Sequence, residues 1–478
     1  MKKRLLQAWN SPTLMSWGSL AARLGGFAIT LPLVLRAFTP AELAVWLLFA
    51  TIASLQIIGD VGFSQTFTRA FAFAYGGAHV EELADARVTK THRPSATLNI
   101  DTLQRIFHTI GPVYLKLSVI AFLVLLCFGS LALQKPITAL SNYQSDAWLA
   151  WAIVLVSTTA SLWGNIYTSY LQGSGRIALL RRWEMLTAIA GIISVLIVLL
   201  AGGGLLEVVL AQQIWMIVSV VRNNWLCKND ENFKVSPFSV VDSVVFSAVW
   251  PSAWRSGIGV LMSFGIIQFS GIAYAQVVST VESAKYLFAL RVIQIISQFS
   301  QAPFYSKLPE LARLRSQGLV AEQLILAKKG MRFAHWTFVT GFLSVLLLVQ
   351  PILSFIGSKT QFVSMNMWIL MGAGYLAERV GAMHIQLYST TNHIIWHIAN
   401  GLTGCAMLLL SVILYSWLGA VALPLAMLVS YLCIYTPMAI YYSSRAFEFN
   451  VLAFEFKVSF FPIVAFVLVI FIVFSSVG

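Results

Sequence analysis

Apolar segments long enough to cross a bilayer follow one another along almost the entire chain. About 20 apolar residues cover the roughly 30 Å hydrocarbon core of a membrane. Only 10% of the residues are charged, whereas soluble proteins average about 25%. The predicted fold class is therefore an all-α polytopic membrane protein with twelve spans and a thirteenth apolar segment. The predicted segments are 13–38, 42–73, 107–133, 147–171, 183–201, 205–225, 244–278, 284–304, 333–356, 362–388, 394–416, 419–442 and 458–476.

The distribution of lysine and arginine predicts the orientation of these spans. If the N-terminus is cytoplasmic, 21 basic residues lie in that terminus and the even-numbered connections, and only Lys135, Lys285 and Lys359 lie in the odd-numbered ones. An excess of basic residues in cytoplasmic loops is the usual pattern of inner-membrane proteins. Anionic lipid headgroups thus account for the net charge of +13 without nucleic acid as a partner.

A weak internal repeat relates the two halves of the chain. Residues 40–63 can be aligned with residues 280–304, so that Glu42 matches Glu282 and Trp46 matches Tyr286. Two six-helix blocks in the same orientation form a parallel repeat, which is typical of transporters. The predicted domains are a first bundle at 1–235, a second bundle at 236–445 and an extra hydrophobic segment at 446–478.

Several charged residues fall deep inside the predicted spans. Such residues usually face a bundle interior or a water-filled cavity. Because the deep bases outnumber the deep acids, we expect a cationic cavity that binds an anion, and the arginine fork suits phosphate oxygens. The deep bases are Arg23, Lys116, Arg255, Arg291 and Arg379, and the deep acids are Asp60 and Glu378.

Two other interpretations of these residues remain open. Asp60 could form a structural ion pair with Arg23, or take up a proton during a transport cycle. Arg69 lies at an inner helix end, where interfacial anchoring is the simpler interpretation.

Four histidines suggest a metal site or a proton relay, but surface histidines explain the pair at 393 and 397 more simply. We predict no metal and no cofactor. These histidines are His335, His384, His393 and His397.

Four stretches of the sequence resemble a known family. In the first half they are LLFATIASLQIIGDVGFSQTFTRAFAFAYG and YLQGSGRIALLRRWEML. In the second half they are AKYLFALRVIQIISQFSQAPFYSKLPELARLRSQG and MHIQLYSTTNHIIWHIANGLTGCAMLL. The chain resembles polysaccharide transporters of the O-antigen flippase type, within the multidrug/oligosaccharidyl-lipid/polysaccharide exporter superfamily.

The resemblance implies two pseudo-symmetric six-helix bundles around a central cavity, with the thirteenth segment as an addition to that plan. It implies a flippase in the bacterial inner membrane. Its substrate would be an undecaprenyl-pyrophosphate-linked oligosaccharide, moved from the cytoplasmic to the periplasmic leaflet by alternating access. Basic positions of the family's cavity map onto Arg23, Arg255 and Arg291, and we add Lys116 and Arg379 because of their depth.

Two further functions are considered beside the flippase. A cation-coupled multidrug exporter of the same superfamily is the alternative, although a site for cationic drugs should be lined by acids. A membrane enzyme such as a glycan polymerase or ligase would need a large extracytoplasmic loop, and the odd-numbered connections are short. The expected partners are the lipid-linked oligosaccharide and membrane lipids, with other polysaccharide-assembly membrane proteins as further candidates.

Overall fold

The computed structural model describes residues 12–83, 98–236, 238–391 and 395–477 of the chain. The regular structure in these ranges is helical throughout, without a β-strand. The chain divides into two compact units, Met1–Leu261 and Met262–Gly478. The domain limits expected at 235 and 445 follow from counting helices, and they stay a prediction.

The helices of the described residues confirm the predicted class of all-α, multi-pass membrane protein. Eight of them are long and apolar enough to cross a membrane, or nine if one bent pair counts as a single span. The helices Thr280–Tyr305 and Met365–Ser389 are not among those eight. Arg291 lies in the first of these two helices, and the charged pair Glu378–Arg379 lies in the second.

The first unit contains ten α-helices within its described residues. Helix α1 packs along α8, and α7 packs against α4, α5 and α9. A π-helical turn, Leu125–Gly129, joins α5 to α6 without a loop. The helices are α1 (Pro12–Ala37), α2 (Pro40–Ser54), α3 (Gln56–Gly59), α4 (Phe63–Tyr75), α5 (Ile100–Val124), α6 (Ser130–Thr138), α7 (Gln144–Gly173), α8 (Ile177–Leu200), α9 (Leu205–Lys228) and α10 (Ser243–Val260).

The second predicted span, 42–73, is not one helix, and the structure corrects this prediction. Helix α2 ends at Ser54, the single turn α3 follows, and α4 begins only at Phe63. The start of α2 follows from its sequence. The Thr39 side chain accepts from the Glu42 backbone, the Glu42 carboxylate accepts from the Thr39 backbone, and Pro40 occupies the first turn. This reciprocal capping box satisfies donors that the first helical turn leaves free.

The second unit contains ten further α-helices within the residues that the structure describes. Helix α14 packs against α12, α15, α19 and α20, and α15 also packs against α17 and α18. Two π-helical turns interrupt the long helices, at Leu261–Gly265 and Tyr431–Tyr435. The helices are α11 (Ile266–Val277), α12 (Thr280–Tyr305), α13 (Leu308–Ser316), α14 (Val320–Ile356), α15 (Met365–Ser389), α16 (Trp396–Leu418), α17 (Ala422–Ser430), α18 (Thr436–Phe447), α19 (Val451–Val458) and α20 (Phe460–Val477).

The extra C-terminal segment is a bent pair of helices. The helix axis bends by 55° between α19 and α20, at Ser459. Helix α20 packs on α14, where the Phe466 ring lies 4.9 Å from the Phe342 ring. The thirteenth apolar segment of the sequence therefore belongs to the packed second unit.

Candidate functional site

The break in the second span places backbone strain beside a buried carboxylate. Val61 and Gly62 have φ angles of 50° and 74°, and a left-handed conformation is unfavourable for a β-branched residue such as valine. Gly62 lies directly against α10. A Cβ atom at this position would lie 2.5 Å from the Ser256 Cβ and 2.9 Å from the Ala253 carbonyl oxygen. The break is therefore held by close packing against α10.

The Asp60 carboxylate organises this break. Its Oδ2 accepts from the Ser64 backbone N–H at 3.0 Å and from the Ser64 hydroxyl at 2.8 Å, so it satisfies a free donor at the start of α4. Its Oδ1 accepts from the Tyr114 hydroxyl at 2.7 Å and from the Asn165 amide at 2.9 Å. Asp60 is 5% exposed. The carboxylate thus links the broken helix to α5 and α7.

These contacts can be compared with the ion pair between Asp60 and Arg23 that the sequence suggested. Asp60 has four hydrogen-bond donors among the described residues, and none of them is a basic side chain. Arg23 lies on α1, and its side chain is outside the described part of the structure. The groups that contact the Asp60 carboxylate are therefore neutral hydroxyl, amide and backbone donors.

Replacing Gly62 with alanine is expected to destabilise the first unit by about 2–4 kcal/mol. The left-handed backbone costs an L-residue roughly 1–2 kcal/mol, and overpacking adds about 1–3 kcal/mol. The melting temperature in detergent measures the effect. Gly259→Ala is the matched control on α10, because a Cβ atom there has no neighbour within 4 Å. An equal melting temperature for both variants would contradict the packing argument.

Two exposed arginines lie on neighbouring helices of the first unit. Arg69 of α4 donates a hydrogen bond to the Ser252 hydroxyl of α10. Arg255 follows Ser252 by three residues, a spacing that places both on one helix face. The Arg255 guanidinium lies 5.7 Å from the Trp254 ring centre. Among the described residues neither arginine forms an ion pair with a carboxylate.

The beginning of α10 is fixed to α5 by an ion pair. Arg105 Nε donates to Asp242 at 2.6 Å, and Asp242 caps α10 through the Val244 and Val245 backbone N–H groups. The hydrogen bond from Arg105 lowers the pKa of the Asp242 carboxyl below its usual value, and the two capping bonds act in the same direction. The helix that carries Arg255 is thus anchored at its first turn.

The other predicted binding residues lie in different environments. Lys116 is exposed on α5, on the same helix as the Asp60 partner Tyr114. Arg291 is half-buried on α12. Their role as substrate ligands stays a prediction, as it does for Arg23. Lys116 is, like Arg255, an exposed cation on a helix long and apolar enough to span the membrane, whereas Arg69 lies on the 13-residue helix α4.

Arg379 is enclosed within the second unit. It is 0% exposed, and it forms an ion pair with Glu378 at 3.2 Å. It also donates to the Ser297 hydroxyl. The Gln301 amide oxygen accepts from both Arg379 terminal nitrogens, at 2.9 and 3.1 Å, when its nitrogen faces Tyr305. In this conformation a substrate can reach Arg379 only if the enclosing side chains move.

Sequence reasoning missed several residues of these sites. Arg69 was interpreted as an interfacial anchor, but it contacts Ser252, which is 183 residues away in the chain. Asn165 is an amide in a predicted span and would have been a visible signal, since polar side chains there usually have a partner. Of the four histidines, His335 and His384 are buried, whereas His393 lies outside the described residues.

Comparison by sequence does not identify a family. No family model matches the chain, and no curated protein matches it either.

Comparison by structure finds transporters. A multidrug resistance MATE family transporter of the MOP superfamily, in an inward-facing conformation, matches with a TM-score of 0.64 at 10% identity over 91% of this chain and 98% of that one. The lipid II flippase MurJ, in an inward closed conformation, matches with a TM-score of 0.64 at 13% identity over 97% and 93%. A MATE structure in a bent conformation matches with a TM-score of 0.57 at 11% identity over 92% and 97%. The chain therefore has the fold that these MATE transporters and the MurJ flippase share.

Proposed function

We propose that this protein is a flippase for an undecaprenyl-pyrophosphate-linked oligosaccharide, which it moves from the cytoplasmic to the periplasmic leaflet by alternating access. The supporting observation is the pair Arg69 and Arg255. Both side chains are exposed. Arg255 lies on a helix long and apolar enough to cross a membrane, Arg69 lies on the neighbouring 13-residue helix α4, and their partners Ser252 and Trp254 are neutral. A charge at hydrocarbon depth is tolerated where it meets water or an ion rather than lipid.

The depth of the two arginines suits the head of such a substrate. At about 1.5 Å per residue, Arg255 lies roughly 18 Å from the start of α10, and Arg69 lies roughly 9 Å from the end of α4. The predicted orientation places both of these helix ends on the cytoplasmic side. A pyrophosphate that enters from the inner leaflet would meet Arg69 first and Arg255 second. The planar guanidinium groups can each bind two phosphate oxygens.

The remaining predicted ligands have different parts in this proposal. Lys116, Arg23 and Arg291 would contribute to binding of the same anionic head. The buried pair of Glu378 and Arg379 would instead stabilise the second unit. Asp60 would hold the break between α3 and α4, and proton uptake by its carboxylate would weaken the bonds from Ser64 and so loosen that break.

Neutralising the arginines tests the proposal. We expect Arg69→Gln and Arg255→Gln each to reduce glycan display at the cell surface roughly tenfold to a hundredfold. A hydrogen bond to a charged group contributes about 1.5–3 kcal/mol. The lipid-linked units should accumulate on the inner leaflet, while the amount of protein in the membrane stays unchanged. Arg36→Gln is the control, because Arg36 is exposed at the end of α1. Normal display from both variants would overturn the assignment.

A multidrug exporter is the second candidate, and the carboxylate of Asp60 in a hydroxyl-rich site favours it. Such a carboxylate can exchange protons and so couple export to a gradient. The exposed arginines argue against cationic drugs, because like charges repel. Drug efflux from a sensitised strain distinguishes the candidates. Efflux that depends on Asp60 but not on Arg69 or Arg255 would favour export of drugs.

A further inference from the structure

A buried histidine connects the C-terminal segment to the second unit. His384 lies on α15 and is 0% exposed. Its Nε2 lies 2.8 Å from Glu455 Oε1 on α19, and its Nδ1 lies 2.7 Å from the Ser443 hydroxyl on α18. The second Glu455 oxygen accepts from the Ser459 hydroxyl at the bend before α20. Three helices and the bend therefore meet at this imidazole.

The partners of His384 determine which protonation state fits the site. An ionised Glu455 carboxylate can only accept, so Nε2 must carry a proton. When the Ser443 hydroxyl donates to the Ile440 carbonyl oxygen, 3.1 Å away, its oxygen accepts from Nδ1. When the hydroxyl rotates to donate to Nδ1, 2.7 Å away, the imidazole is neutral. An imidazole that donates from both nitrogens is an imidazolium. The first arrangement thus fits a cation–carboxylate pair.

The charged groups around this pair are few. On α14, His335 is buried near Glu455 and the Val458 backbone, and burial makes a charge on it costly. Lys328 of the same helix lies over the Phe454 ring at 5.2 Å. On α15, Arg379 is occupied by Glu378 and Gln301. The carboxylate next to His384 is therefore that of Glu455.

We propose that His384 and Glu455 form a proton-binding site that holds the C-terminal segment on the second unit. The site lies about 8 Å from the end of α15, at 1.5 Å per residue, and the predicted orientation places this end in the cytoplasm. With its second proton bound, His384 pairs with Glu455 and fixes α19. When that proton leaves Nδ1, the ion pair is lost and only a hydrogen bond from the neutral imidazole to Glu455 remains, so α19 is held more weakly. The inference does not depend on which substrate is transported.

The pH dependence of α19 attachment tests this site. Val458 of α19 is 1% exposed and Leu452 is 83% exposed. Cysteines introduced separately at these two positions, with the native cysteines replaced, report attachment through maleimide labelling in membrane vesicles. Between about pH 6 and about pH 9, which spans the usual titration range of histidine, we expect the Val458→Cys to Leu452→Cys labelling ratio to rise at least fivefold. Dividing by the exposed position removes the intrinsic effect of pH on thiol reactivity.

Variants at the pair complete the test. His384→Asn and Glu455→Gln should each give a high labelling ratio that no longer changes with pH, and the protein should still be present in the membrane. Nitrogen-15 NMR of labelled histidine, compared between the original chain and His384→Asn, should show an imidazolium signal that disappears as the pH rises. A ratio independent of pH in the original chain, or a neutral His384 at about pH 6, would overturn the proposal.

Discussion

Replacing Arg379 with methionine is expected to destabilise the second unit by about 3–5 kcal/mol. Removal of one partner from a buried ion pair leaves the other charge uncompensated. Here the change leaves Glu378 without its cation, and it removes the donors to Ser297 and Gln301. The loss should appear as a large decrease in the detergent melting temperature and in the amount of protein in the membrane.

The double variant Glu378→Leu with Arg379→Met tests separately whether the uncompensated charge of Glu378 causes the loss of stability. Replacing both partners of a buried pair with apolar residues is often neutral or stabilising, so the double variant should recover much of the lost stability. Lys329→Met on α14 is the control, because Lys329 is exposed. If Arg379→Met were stable but inactive in transport, Arg379 would be a substrate ligand, as the sequence predicts, and not a structural residue.

Replacing Asp60 with alanine is expected to cost the first unit about 3–4 kcal/mol. The substitution leaves the donors of Ser64, Tyr114 and Asn165 unsatisfied, and each buried unsatisfied group costs about 1–3 kcal/mol. Asp60→Asn should cost about half as much, because the amide oxygen can still accept from one side of the site. The decrease in melting temperature measures both effects.

A double-mutant cycle with Tyr114→Phe tests whether the network acts as a unit. Removing the tyrosine hydroxyl should cost much less in an Asp60→Ala background than in the original chain, since its acceptor is already absent. Asp146→Asn is the matched control, because Asp146 is exposed in the first turn of α7. Costs that add without coupling would show that Tyr114 and Asp60 act independently.

The sequence predicted the helices better than their interruptions. The apolar runs marked most of the spans, but the capping box of Thr39 and Glu42 that begins α2 was not predicted. The break after Asp60 was not predicted, because a hydrophobic run has the same composition whether its helix is continuous or not. Gly62 in the break packs closely against α10, where an added Cβ atom would meet Ser256 and Ala253, residues that are far away in the chain. Local propensity cannot contain that information.

The charged residues show a similar limit. Depth counted along a helix marked Asp60, Glu378 and Arg379 as unusual, because burying charge is costly wherever it occurs, and Asp60 and Arg379 are buried in the structure. Depth did not determine whether a side chain is enclosed by the protein or exposed at its surface. It could not distinguish the enclosed Arg379 from the exposed Arg255, and it gave Arg69 the role of an anchor. The relative positions of neighbouring helices decide between these outcomes.

The interrupted second span has a consequence for how such a chain can diversify. Its first piece α2 packs against α6, α7 and α9, whereas its last piece α4 packs against α5, α7 and α10. Each piece also has its own start, one at Thr39 and one at Asp60. Mutations that reshape α4 can therefore accumulate while α2 keeps its inherited contacts. A lineage could adapt to a new cargo by changing one half of a helix.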